Sequence, residues 1–139
     1  MKGSRLGVAT ALALPLLLAG CGADPNTARG TAELFLDAHY VLIDLPRALD
    51  RTAGVARSKV EHEIELTQGH GIDDASVKPS VHYRLLEEHP DGDAAANFVY
   101  LGDVTAAGER FQRRWMVTVR REDVGWRVTN FQELALEMD

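Results

Sequence analysis

One change of rhythm limits what this chain can fold into. Over residues 31–67 the apolar side chains recur every three or four positions, and after Pro79 they recur every second position. The first spacing puts apolar groups on one face of a helix, and the second puts them on one face of a strand. A chain that switches once, from helices to strands, belongs to the α+β class, with helices packed on one face of an antiparallel sheet.

Thr31 to Ile43 (TAELFLDAHYVLI) carries Leu34, Phe35, Ala38, Val41 and Leu42 on one helical face. Asp44 can cap a second helix, Pro46 is tolerated in its first turn, and Leu45, Ala48, Leu49 and Ala53 would be its apolar positions, with Gly54 ending or bending it. A third helix is predicted over Val55 to Thr67, with Ala56, Val60 and Ile64 in line. Arg57–Glu61 and Lys59–Glu63 are pairs four apart and read as a solvated face. Val81, Tyr83 and Leu85 alternate as a first strand, and Pro90-Asp91-Gly92-Asp93 signals a hairpin. Ala95 to Thr105 and Arg110 to Arg121 are the second and third strands, joined at Ala106-Ala107-Gly108. The third places Phe111, Trp115, Val117 and Val119 on one face, and Gln112, Arg114, Thr118 and Arg120 on the other. Asp123-Val124-Gly125 turns into a last strand that opens with Trp126, Val128 and Phe131 and ends near Leu134. The expectation is therefore α+β: N-terminal helices packed on a curved, cone-like, four-stranded antiparallel meander.

The N-terminus carries a different signal. Lys2 and Arg5 precede Leu6 to Gly20, which is apolar apart from Thr10. That run of 15 residues falls short of the about 20 that a spanning helix needs, and it reads as an export signal. The only cysteine, Cys21, follows directly. Leu18-Ala19-Gly20-Cys21 resembles the lipobox of bacterial lipoproteins. The resemblance implies a signal peptide over residues 1–20, cleavage before Cys21, and lipid on its sulfur. It also implies a chain held on a membrane without crossing it, since two or more acyl chains anchor stably. Gly22 stands where an Asp would favour inner-membrane retention, so the resemblance implies the outer membrane facing the periplasm rather than the inner membrane. Residues 21–29 read as a short tether, with at most about 3.5 Å of reach per residue, and residues 30–139 as a single domain. Without residues 1–20 the chain has 13 basic and 21 acidic residues, a net charge of −8. Such a surface repels phosphate backbones and argues against nucleic acid as a partner.

The order of helices and strands is similar to the nuclear-transport-factor-2-like (cystatin-like cone) superfamily. The opening TAELFLDAHYVLIDLPRAL, the hairpin-linked long strands and the closing GWRVTNF carry the resemblance. A short strand often follows the second helix in such folds, and Arg51 to Gly54 leaves little room for one. The resemblance implies a sheet curled around the helices with an apolar cavity at the open end. The superfamily holds isomerases and dehydratases as well as binding modules, so fold does not choose among them.

A pocket enzyme of this kind needs a carboxylate base facing a hydrogen-bonding acid. Asp37, His39, Tyr83, Tyr100 and Asp103 are candidates by type, and none stands in a catalytic motif. Asp37 and His39 read as the solvated or boundary part of the first helix, and Asp103 as exposed near a strand end. The histidines are His39, His62, His70, His82 and His89, and their spacing matches no zinc pattern. No metal or cofactor is expected. Tyr100, Trp115 and Trp126 are the candidate ligand-pocket residues, and they serve equally as core. The reading is an envelope lipoprotein without enzymatic activity that binds a small apolar ligand or a protein partner. The alternative is an isomerase- or hydro-lyase-type pocket enzyme.

Overall fold

The computed structural model describes Gly3 and residues 22–68 and 78–137. Cys21, His70 and the expected export signal apart from Gly3 lie outside the described residues. Helix α1 spans Ala28–Leu36 and runs into a π-helical turn, Asp37–Val41; helices α2, Leu45–Leu49, and α3, Gly54–Thr67, follow. Strands β1 to β4 are Ser80–Asp91, Ala95–Ala106, Glu109–Glu122 and Gly125–Leu134, and they form one antiparallel sheet in the order β1-β2-β3-β4. The expected helix-then-meander architecture is what the chain adopts.

The helices depart from expectation in instructive ways. Helix α1 starts earlier, because the Thr27 hydroxyl accepts the Gly30 N–H at 3.0 Å and caps it. Ala28 and Arg29, expected in a tether, are therefore helical. Asp24 to Thr27 are also fixed to the domain. The Asp24 carbonyl accepts the N–H and the hydroxyl of Thr27, and the buried Thr31 hydroxyl donates to the Pro25 carbonyl at 3.1 Å. A Cβ at Gly30 would lie 1.8 Å from the Asp24 carbonyl oxygen, so only glycine admits the chain here. Asp44 caps α2 as expected, accepting the Arg47 N–H at 3.1 Å. That helix stops at Leu49 and not near Ala53, because the next residues pair with the sheet. Val128 donates to the Arg51 carbonyl at 2.8 Å and Ala53 donates to the Val128 carbonyl at 2.9 Å. One parallel bridge, Thr52 to Val128, takes the place of a strand between the helices.

On the sheet, Val81, Phe98, Tyr100, Val104, Trp115, Val117, Val119, Val128 and Phe131 face the helices and bury against Phe35, Leu36, Ala48, Ala56 and Val60. The register breaks at Leu86 on β1, between Leu85 and Glu87, and at Thr129 on β4, opposite Thr118 and Val119. Such bulges bend strands, and they curl this sheet around α1 and α3. Among the described residues every member of the core lies between Ala28 and Phe131.

Of the two expected i,i+4 pairs on α3, Arg57–Glu61 forms at 2.9 Å. Lys59–Glu63 does not. Lys59 Nζ turns to Asn130 Oδ1 at 2.8 Å and the Phe131 carbonyl at 2.7 Å, which binds α3 to β4. Glu63 is left free to serve elsewhere.

Candidate functional site

The site grows from a register and a missing side chain. Tyr100 on β2 pairs with Trp115 on β3, and Gly102 pairs with Arg113. A Cβ on Gly102 would lie 2.3 Å from the Trp115 ring, so the indole lies across β2 in space that glycine leaves open. Above it the Tyr40 ring stacks at 4.1 Å with an interplanar angle of 15°. Tyr40 comes from the π turn, where Leu42 N–H reaches back five residues to the Asp37 carbonyl at 2.8 Å.

Around this stack the chain leaves a groove of about 390 Å³ at the end of the sheet where β1 begins and β2 ends. Ile43, Leu45, Leu66, Val81 and Val104 supply apolar wall. Ile43 holds φ at 53°, a left-handed backbone that a β-branched residue strongly disfavours. Strain of this kind persists only where surrounding contacts impose it, and it concentrates at functional clefts.

His39 and Glu63 supply the polar edge of the groove. His39 Nε2 lies 2.6 Å from Glu63 Oε2. A carboxylate only accepts, so Nε2 carries the proton and donates. The imidazole stands among Phe35, Phe131 and Tyr40, with ring centroids at 5.2, 5.0 and 4.3 Å. The His39 side chain is only 9% exposed, so of the solvated and boundary positions that the sequence allowed it holds the boundary one. Its Nδ1 is buried and has no partner among the described residues. Burial, and then the negative charges of Glu63 and Glu133, push the Tyr40 hydroxyl well above its usual range. Tyr40 therefore stays protonated near neutral pH.

A second polar cluster lies on the β1 side of α1. The Tyr83 hydroxyl donates to Asp37 Oδ1 at 2.6 Å, with the Glu33 carbonyl at 3.3 Å. Asp37 is thus half-buried and engaged, at the boundary position that the sequence allowed. The Tyr83 ring meets Tyr100 edge-on at 5.6 Å. Burial is the first cause that raises both hydroxyls above the usual tyrosine range. The buried Tyr100 hydroxyl has no partner among the described residues.

The candidates named from sequence are therefore dispersed. His39 and Trp115 meet in the groove. Tyr100 lies beneath it in the core, fully buried. Trp126 stands at the opposite end of the sheet beside Arg121, and Asp103 accepts from Gln112 on the outer face at 3.1 Å. His62, His82 and His89 are exposed. Tyr40, Ile43, Leu66 and Glu63 were not anticipated as groove residues. Among the described residues no three His, Cys, Asp or Glu side chains converge on a metal position. No described helix is long and apolar enough to cross a membrane.

No protein-family model matches this chain, and no curated protein matches it. Solved structures do. A domain of unknown function with a cystatin-like fold from Nostoc punctiforme superposes with a TM-score of 0.58 at 10% identity, over 79% of this chain and 75% of that one. An NTF-2-like protein of unknown function from Shewanella oneidensis gives 0.56 at 11% identity, over 74% and 92%. A ketosteroid isomerase-like protein from Erwinia carotovora gives 0.52 at 14% identity, over 78% and 95%. At such identities the likeness is one of fold, and the chain has the NTF2-like, cystatin-like cone fold.

Proposed function

We propose that this domain binds a small apolar ligand in the groove above Trp115, without catalysing a reaction, and that it does so as an envelope lipoprotein held on a membrane through Cys21. The observation that carries the ligand reading is the groove itself. Its volume of about 390 Å³ lies in the range of small-molecule sites, and its wall is aliphatic and aromatic with one polar edge. Apolar surface so exposed gains from being covered by an apolar ligand. The Glu63 carboxylate and the Tyr40 hydroxyl would orient a ligand that carries one hydrogen-bonding group. The lipobox Leu18-Ala19-Gly20-Cys21 supports the anchoring, with the periplasmic face of the outer membrane as the proposed site.

Two measurements test these parts separately. The mass of the mature form from a bacterial host should match cleavage before Cys21 plus a diacylglyceryl group; an unprocessed Met1 overturns the anchoring. Titration of residues 21–139 with the neutral probe N-phenyl-1-naphthylamine should give saturable fluorescence enhancement at one site. That enhancement should weaken in Leu66→Glu, which places a carboxylate in the groove at an exposed position. No enhancement, or enhancement indifferent to that substitution, overturns the ligand reading. A protein partner covering the same groove would then be the occupant to seek.

The second reading is the isomerase- or hydro-lyase-type enzyme, and the His39–Glu63 pair at 2.6 Å favours it. A carboxylate beside an apolar cleft can act as a base, with Tyr40 as the donor opposite. Turnover of a β,γ-unsaturated ketone that disappears in Glu63→Gln would support catalysis over simple binding.

A further inference from the structure

The opposite end of the sheet carries an exposed surface that the groove does not use. At the tip of the β3–β4 hairpin Val124 is 74% exposed. Behind it Trp126 is half-buried, with the Arg121 guanidinium 4.9 Å above its ring and Arg127 Nη1 donating to its carbonyl at 2.7 Å. Arg51, from the segment before α3, joins them, and Pro25 and Asn26 complete the same depression of about 540 Å³. The arginine ion pairs among the described residues use Arg29, Arg57, Arg113 and Arg114, so Arg51, Arg121 and Arg127 have no carboxylate there.

From these features we infer that the β3–β4 hairpin end is a bilayer-facing surface, with Val124 and Trp126 entering the interface and Arg51, Arg121 and Arg127 binding lipid headgroup phosphates. This rests on the anchoring through Cys21 proposed above. The argument for that occupant is the length of chain between anchor and surface. Asp24 is pinned to α1 through Thr27, and Gly30 admits its backbone closely. Cys21 precedes Asp24 by three residues, which span at most about 11 Å. A lipid on Cys21 therefore brings the bilayer to Pro25 and Asn26, and these line the arginine surface itself. The side-chain chemistry fits such a position. Tryptophan favours the interface, and guanidinium groups extend to phosphates while their stems cover apolar surface. Glu122 and Asp123 line the same depression, which leaves three arginines against two carboxylates. The surface therefore orients the domain and does not replace the anchor. With this end on the membrane, the groove opens at the far end, away from the bilayer.

The test couples Cys21 of residues 21–139 to a maleimide lipid in vesicles of phosphatidylcholine with a minority of phosphatidylglycerol. Chemical coupling makes the result independent of whether cells lipidate Cys21, which the mature mass reads separately. Brominated acyl chains in those vesicles should quench the tryptophan emission. Trp115 is six residues from Arg121 along β3, or about 20 Å, so the quenched ring should be Trp126. Quenching should vanish in Trp126→Phe and fall in Val124→Asp. For uncoupled protein, Arg121→Gln with Arg127→Gln should weaken vesicle binding about 25-fold, at about fivefold per arginine near an anionic surface. Absence of quenching in the coupled protein, or quenching that survives Trp126→Phe, overturns the inference. So does a Trp126 response to inorganic phosphate alone that matches the response to vesicles, because the site would then be one for a free anion.

Discussion

Gly102 offers the sharpest perturbation of the groove. Its Cβ position lies 2.3 and 2.4 Å from two Trp115 ring carbons, below any tolerable contact. In Gly102→Ala the indole cannot yield sideways without losing its stack on Tyr40 at 4.1 Å, and both rings pack into the closed core. Overpacking of this kind costs about 1–3 kcal/mol. At about 4 °C per kcal/mol for a domain of this size, Tm should fall by roughly 4–12 °C. Denaturant unfolding should show a lower midpoint at an unchanged m-value, and binding of N-phenyl-1-naphthylamine should weaken, because Trp115 floors the groove. Loss of probe binding beyond the loss of stability is the informative part. A variant within about 0.5 kcal/mol of the parent, the range of an ordinary surface substitution, with unchanged probe binding, would refute the claim that glycine makes room for the groove floor.

Other consequences follow from the polar groups. Tyr83→Phe removes a donor from Asp37 and should cost about 1.5 kcal/mol, whereas Tyr100→Phe removes a buried hydroxyl with no described partner and should be neutral or stabilising; paired denaturation curves check both. The folded state raises the Tyr100 pKa, so the unfolded chain gives up that proton first, above about pH 10. The stability it contributes is complete below that pH and falls above it, with a slope approaching about 1.4 kcal/mol per pH unit for this buried residue. Urea midpoints from pH 9 to 11 should fall accordingly, and tyrosinate absorbance should appear only with unfolding. Lys59→Met takes the ammonium donor from the Phe131 carbonyl and leaves Asn130 Oδ1 with only the Phe131 N–H at 3.0 Å, and should destabilise by about 1–3 kcal/mol, read by thermal melts.

The fold was readable because period and punctuation agreed. Asp44, Gly92 and the Ala107-Gly108 turn fall where caps and turns require them, and the alternation of β3 gave the register that joins Trp115 to the core. The shortening of α2 was not readable, because Arg51–Ala53 pair with Val128, which lies some 75 positions away in the sequence. The site was half readable. His39 and Trp115 were singled out by type, but their neighbours Tyr40 and Ile43 were given no role, and Glu63 read as part of a solvated face. Glu63 did carry a signal. It stands seven positions after the buried Ala56 and three after the buried Val60, so it interrupts the stripe that α3 packs inward. A carboxylate on a buried stripe needs a partner, and His39 is 24 residues earlier on a turn whose π geometry no local pattern announces. Trp126 was named with Trp115 as a candidate pocket residue, but the two stand near opposite ends of the sheet.

The most direct test of the central claim is to purify the mature protein gently from its bacterial host, extract it with organic solvent and identify what leaves by mass spectrometry, with Leu66→Glu prepared in parallel. The account predicts an apolar molecule near one equivalent from the parent protein and its loss from the folded variant. A parent that yields nothing, or a variant that retains the same molecule, would contradict it.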